Sequence, residues 1–146
     1  MYLFLNYNFL ILKINVKYNL QFLIVGSSEE ELIYYNKLSF NMSKDLLINL
    51  MGKSLTLTYG CFSLSKLFIG NDSGLMHLSV ASNLTTIALF GPTNDKIYGH
   101  HNSNSYVIRT KESFEFFNKG SIDFKKSYML SIQPDVILNL INTNKL

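Results

Sequence analysis

Cysteine is almost absent from this 146-residue chain: Cys61 stands alone. No internal disulfide can form and no cysteine-based zinc cluster can be built, so a disulfide scaffold and a zinc finger are both excluded. A reducing cytoplasm suits such a chain. Charge is also scarce, at 16% of residues with a formal net charge of +3 and no block of like charges. A nucleic-acid-binding arm and a polybasic membrane patch are therefore not expected. Long apolar runs are missing as well. Residues 1–12 carry no charge, but Asn6 and Asn8 interrupt them and Lys13 ends them. A membrane span needs about 20 apolar residues. The same stretch has neither the basic start nor the small-residue cleavage site of a signal peptide. It is expected to form a strand or helix packed on the core.

Hydrophobic residues make up 47% of the chain, which supplies a core and excludes general disorder. The length predicts one domain. Twelve of the 13 basic residues are Lys and Asn occurs 16 times. That bias reads as the codon usage of an AT-rich genome rather than as chemistry. The formal glycosylation sequons at Asn41, Asn71 and Asn83 follow from the same abundance of Asn.

Short apolar runs punctuated by glycine or polar residues alternate with helical stretches. Strands are expected at Leu20–Val25, Leu46–Leu50, Leu67–Ile69 and Thr85–Phe90, with a further one at Tyr106–Ile108. Ser28 and Glu31 have capping-box spacing before a helix whose apolar side is supplied by Leu32, Ile33 and Tyr35. A second helix is expected from Ser54 to about Ser65, and a third over Leu75–Ala81. Pro134 and Asp135 suit the first turn of a last helix, with Val136, Ile137, Leu140 and Ile141 on its buried side. This alternation predicts an α/β fold, a parallel sheet covered by helices on both faces.

In open parallel sheets ligands bind where strands end at their carboxyl termini. Two such junctions follow one another between Phe68 and Gly99. At the first, Gly70 permits a tight turn, Asp72 or Ser73 can cap the next helix, and Gly74 allows close backbone approach. The N–H groups of Ser73, Gly74 and Leu75, at the positive end of a helix dipole, suit a phosphate. From these residue types alone an ordinary helix cap is the favoured reading. At the second junction Gly91 and Pro92 form a rigid turn, and Thr93 offers a hydroxyl and an N–H to an anion or caps a short helix. His77 lies one helical turn beyond Gly74, within reach of a phosphate or of the preceding loop. Asp72 would repel a phosphate, so it holds the loop through backbone N–H groups or faces a ribose or sugar hydroxyl. His100-His101 lacks a third ligand at useful spacing, and no metal site is expected.

Residues Phe68–Tyr98 resemble the signature region of glycosyltransferase family 9, the ADP-heptose:lipopolysaccharide heptosyltransferases. The residues that carry the resemblance are Gly70, Asp72, Ser73, Gly74 and His77, then Phe90, Gly91, Pro92 and Thr93. The likeness extends over about Leu20–Ile141, with residues 1–19 as a poorly matched N-terminal segment and residues 20–146 as a Rossmann-like nucleotide-sugar-binding domain. It implies the C-terminal half of a GT-B glycosyltransferase. The donor, ADP-heptose, would meet Asp72, Ser73, Gly74, Leu75, His77, Gly91, Pro92 and Thr93, and Glu29 or Glu30 would lie near the ribose or sugar. The acceptor, of lipopolysaccharide-core type, would be held by an N-terminal domain that also carries the general base. No catalytic residue and no cofactor beyond the donor substrate are then expected in this chain. The family's donor-site lysine has no counterpart, since Lys13 and Lys17 do not sit in its context. The implied location is the cytoplasm, at the inner face of the membrane through the acceptor.

Two other functions fit parts of the sequence. One is a catalytically inactive nucleotide-binding module, the remnant of such an enzyme. The other is a small dimeric aspartic protease, because Asp72-Ser73-Gly74 matches that active-site tripeptide. The protease is all-β, whereas Leu75–Ala81 reads as helix.

Overall fold

Alternating apolar runs and helical stretches fold into alternating parallel strands and helices. The computed structural model describes residues 4–26, 29–40, 42–43, 45–100, 102–120, 122–123 and 125–146, without the side chains of Phe4, Leu5, Glu29 and Glu30. Ser28 of the expected capping box and His101 lie outside the described residues. The elements run α1 (Phe4–Tyr18), β1 (Phe22–Ile24), α2 (Glu29–Phe40), β2 (Leu47–Asn49), α3 (Leu55–Ser63), β3 (Leu67–Asn71), α4 (Gly74–Ala81), β4 (Thr85–Phe90), α5 (Asp95–Tyr98), β5 (Ser105–Arg109), α6 (Phe114–Asn118), a 3₁₀ turn (Tyr128–Ser131) and α7 (Pro134–Asn144). No described helix is long and apolar enough to cross a membrane.

All five strands pair in parallel, but in two sheets rather than one. β1 pairs with β2, and β4 lies between β3 and β5. β1 directs its backbone bonds to the β2 side, with Phe22 N–H donating to Leu46 O and Leu50 N–H to Ile24 O, both at 2.9 Å. Among the described residues no backbone bond joins β1 to β3. A cleft of about 710 Å³ is lined by both of them instead.

The chain's opening residues form a helix because Tyr7, Leu10, Ile11 and Ile14 fall on one stripe at helical spacing. Leu10 and Ile14 enter the main core with Ile87, Leu89, Ile137 and Ile141, while Ile11 packs with Leu38 and Leu47. α1 and α7 pack together, and Asn142 accepts from both Lys17 Nζ and Tyr18 OH. α7 begins with buried Pro134 and carries Asp135 in its first turn. Ile137 and Ile141 are buried as expected, but Val136 is 49% exposed. It sits one position round the helix from the inward stripe. α2 also turns a different face inward. Leu32 and Ile33 are exposed, and Leu38 is the buried anchor, on the face that carries Tyr34 and Tyr35 into the cleft.

The strand expected at Leu67–Ile69 runs on through Gly70 to Asn71. Gly70 is therefore not a turn residue. A Cβ there would lie 2.6 Å from the Phe68 ring, so the missing side chain makes room for the aromatic residue two positions earlier on the same face. Left-handed backbone is found instead at Gly120, φ +78°, and at Gly52, φ +67°, in the turn after β2, where the Gly52 N–H donates to Gly26 O at 2.9 Å.

α4 is docked on β4 by a buried polar contact. Ser79 Oγ and Thr86 Oγ1 lie 2.8 Å apart, and each also reaches a backbone carbonyl, Met76 O and Leu84 O respectively. Both residues are fully buried. Thr86→Val keeps the side-chain shape and removes the shared hydroxyl. It is expected to lower unfolding free energy by about 1–3 kcal/mol, read as a fall in the urea midpoint at unchanged slope. An unchanged midpoint would show that the pair contributes nothing.

Candidate functional site

Parallel pairing brings the two sequence junctions to one edge. Asn71 is in register with Leu89, and the next N–H, that of Asp72, donates to Leu89 O at 3.1 Å. The end of β3 thus lies beside Phe90 and Gly91 at the end of β4. β5 finishes abreast of them, with Arg109 in register with Phe90.

At the first junction Ser73 takes the N-cap position of α4 with extended backbone (φ −162°, ψ 170°). Its hydroxyl makes no capping bond, so the side-chain cap expected from the sequence is not formed. The first intrahelical bond is His77 N–H to Ser73 O at 3.3 Å. The N–H groups at the start of the helix are left without intrahelical acceptors, at the positive end of its dipole. Ser73 and Gly74 are exposed, and a Cβ on Gly74 would meet no atom within 4 Å. The protein itself therefore does not need glycine there for space.

Asp72 does not hold the loop as expected. No described backbone N–H donates to its carboxylate. Its side chain is only 15% exposed, and Oδ1 lies 3.9 Å from His77 Nε2. The other ring nitrogen, His77 Nδ1, is 2.8 Å from His100 Nε2, and the two rings meet edge to face. Sequence reasoning weighed His100 only as a metal ligand and gave it no part here, and the contact spans 23 residues of chain. The row Asp72–His77–His100 runs from the end of β3 across the first turn of α4. Among the described residues no group of three or more His, Cys, Asp or Glu side chains could hold a metal ion.

At the second junction Gly91 is buried and Pro92 and Thr93 are exposed. The helix cap falls to Asn94, whose Oδ1 accepts from Lys96 N–H at 3.0 Å, not to Thr93. The Thr93 carbonyl accepts from Arg109 Nη1 at 3.1 Å. Nearby, Glu115 opens α6, where its own backbone N–H and the Ser113 hydroxyl hold its carboxyl below the usual range, with Lys96 and Arg109 adding attraction.

Gly70, Asn71, Ser73 and Leu75 also line the cleft between β1 and β3, whereas the Gly91–Thr93 loop does not. Opposite them stand Glu31 and Met51. The Glu31 carboxylate lies beside Gly26, where a Cβ would be 2.9 Å from Oε2. Asn71 Oδ1 is buried without a partner among the described residues. The side chains of Glu29 and Glu30, the acidic residues expected near a ribose or sugar, lie outside the described set. Lys13 and Lys17 belong to α1, where they sit over the Phe9 and Tyr18 rings.

Asp72-Ser73-Gly74 opens a helix within a parallel α/β frame, which removes the aspartic-protease reading. The model of glycosyltransferase family 9 (heptosyltransferase) matches residues 5–123. No curated protein matches the chain. Among solved structures, Escherichia coli heptosyltransferase WaaC with ADP is similar over 98% of this chain and 39% of its own, at TM-score 0.79 and 17% identity. The glycosyltransferase family 9 protein of Veillonella parvula is similar over 97% and 40%, at 0.79 and 19%. E. coli ADP-heptose LPS heptosyltransferase II is similar over 97% and 41%, at 0.77 and 21%. WaaC has also been solved with ADP-2-deoxy-2-fluoro heptose. The fold is that of GT-B-type glycosyltransferases, and the chain spans about 40% of the length of these structures.

The His77–His100 contact requires one unprotonated ring nitrogen, since two protonated rings would present donor to donor. His100→Ala is expected to shift the His77 ring-nitrogen resonances at neutral pH while changing stability by less than about 0.5 kcal/mol, as for most surface substitutions. Unmoved His77 resonances would show that the two rings do not interact in solution.

Proposed function

Because the chain belongs to glycosyltransferase family 9, the heptosyltransferase family, we propose that it supplies the donor-binding share of a sugar transfer from a nucleoside-diphosphate sugar. ADP-heptose is the donor this reading favours, since the similar WaaC was solved with ADP and with ADP-2-deoxy-2-fluoro heptose. The acceptor is of lipopolysaccharide-core type, and the reaction runs at the cytoplasmic face of the membrane.

The single observation that carries the proposal is the uncapped start of α4, with open space at Gly74, set beside the end of β4. The donor diphosphate lies across Ser73–Leu75 and Gly91–Thr93, and the hydroxyls of Ser73 and Thr93 add donors. The nucleoside enters the cleft beside Asn71, Leu75, Glu31 and Met51. Asp72 faces a sugar or ribose hydroxyl, with His77 behind it.

In the transfer an acceptor hydroxyl oxygen attacks the anomeric carbon. The carbon–oxygen bond to ADP breaks, and the acceptor proton passes to a general base. We assign that base to an acceptor domain rather than to a residue at this edge. The donor domain contributes charge stabilisation: fixed N–H dipoles meet the negative charge that grows on the departing diphosphate. The second reading, a nucleotide-binding module without turnover, shares this binding site.

Two outcomes test the proposal. A Cβ at Gly74 has open space around it, and Gly74→Val is expected to keep the melting temperature within a few degrees while weakening ADP binding at least tenfold by calorimetry. Unchanged ADP affinity in the folded variant would remove the phosphate from α4. The pure chain, given ADP-heptose and a lipopolysaccharide-core acceptor, is expected to release ADP far more slowly than a typical enzyme's roughly 10 per second. Positioning of acceptor and base supplies about 7–11 kcal/mol of a transfer barrier. Ordinary turnover by the pure chain would defeat the assignment of the base to another domain.

A further inference from the structure

We infer that Arg109, the chain's sole arginine, is a positioning residue that holds the Gly91–Thr93 loop in its diphosphate-binding shape and neutralises the carboxylate beneath it. The inference rests on the proposed donor site and deepens it. Arg109 ends β5 directly abreast of Phe90, so its side chain starts level with the residue just before the loop. Its side chain is only 17% exposed. Nη2 donates to Gly91 O, and Nη1 donates to Thr93 O at 3.1 Å and to Asp95 Oδ1. Nε donates to Glu112 O at 3.3 Å, tying the loop to the segment after β5.

One planar group thus collects the carbonyls on both sides of Pro92 and the carboxylate that opens α5. A lysine could not do this, because an ammonium on a flexible stem lacks the fixed fork of donors. The charge matters as well as the shape. Asp95 is 22% exposed at the foot of a loop proposed to meet a diphosphate, and unpaired it would repel that ligand. Glu115 is attracted by both Arg109 and Lys96, and Glu112 is paired through its own carboxylate with Lys126 at 3.2 Å. The Arg109–Asp95 pair leaves the loop N–H groups and the Thr93 hydroxyl to set the local field.

The test compares the parent chain with Arg109→Lys, Arg109→Met and the double variant Arg109→Met/Asp95→Asn. Amide hydrogen exchange is read without nucleotide, and ADP affinity by calorimetry. Faster exchange at Thr93–Asp95 is expected in both single variants, with β4 and α7 amides unchanged. ADP affinity should fall at least tenfold in Arg109→Met and less in Arg109→Lys. The double variant should recover part of the loss, because the unpaired carboxylate is gone. Recovery by removing a charge is not what a merely structural arginine would give. Unchanged exchange at the loop in Arg109→Lys and Arg109→Met would overturn the positioning role. A loosened loop with parental ADP affinity would overturn its link to the diphosphate and leave the donor site at α4 standing. A parent chain that fails to bind ADP would overturn the donor site and with it that link, while exchange would still decide what Arg109 does to the loop.

Discussion

The position of β4 governs the rest of the molecule. From Thr86 to Phe90 every residue is buried, and the strand is hydrogen-bonded along both edges, to β3 and to β5. A strand buried on both faces cannot slip by one residue without moving its apolar side chains off their partners. Its register therefore fixes where β3 and β5 end. Asp72, Gly91 and Arg109 are neighbours because these three strands finish together, although they are far apart along the chain. The Ser79–Thr86 hydroxyl contact carries the same constraint into α4 and sets the direction in which its first N–H groups point.

The electrostatics of this edge are those of dipoles more than of free cations. The groups gathered there are helix-end N–H groups, two hydroxyls, two imidazoles and a carboxylate, while the arginine is committed to loop carbonyls and Asp95. Dipoles fixed by the fold need little reorganisation when an anion arrives, which suits the proposed donor site. Oriented groups of this kind select for geometry as well as for sign.

Features that depend on neighbours in sequence were legible before the structure. The strand runs, the loop pattern Gly70–Gly74 and the Gly91-Pro92-Thr93 turn are local, and local residue types report them. The family resemblance rested on the same stretch. Gly70 was misleading because glycine signals both a turn and room for a neighbouring ring, and only the packing of Phe68 separates the two. Leu32 and Ile33 are exposed because tertiary packing turns another face of α2 to the core, and Val136 lies just beside the buried stripe of α7. His100 and Arg109 were missed because their contacts cross 14 to 23 residues. For Arg109 a signal existed: a single arginine in a chain whose other 12 basic residues are Lys resists the compositional drift that shaped the rest. The end-to-end packing of α1 on α7 leaves no local trace at all, beyond the helical stripe Tyr7–Ile14.

The separation of β1 from β3 has a mechanical consequence. Paired strands are held at about 4.8 Å by the length of their hydrogen bonds, a spacing that scarcely yields. The walls of the cleft are held instead by side chains, among them Leu10, Ile11 and Ile14 from α1 and Phe22 from β1. Side-chain packing sets a distance through volume and rotamer choice rather than through bond length. The gap between the two sheets can therefore widen or narrow by small repacking of one helix, with no backbone hydrogen bond broken. α1 thus acts as a spacer in the fold, and the width of the cleft depends on how Leu10, Ile11 and Ile14 pack between its walls.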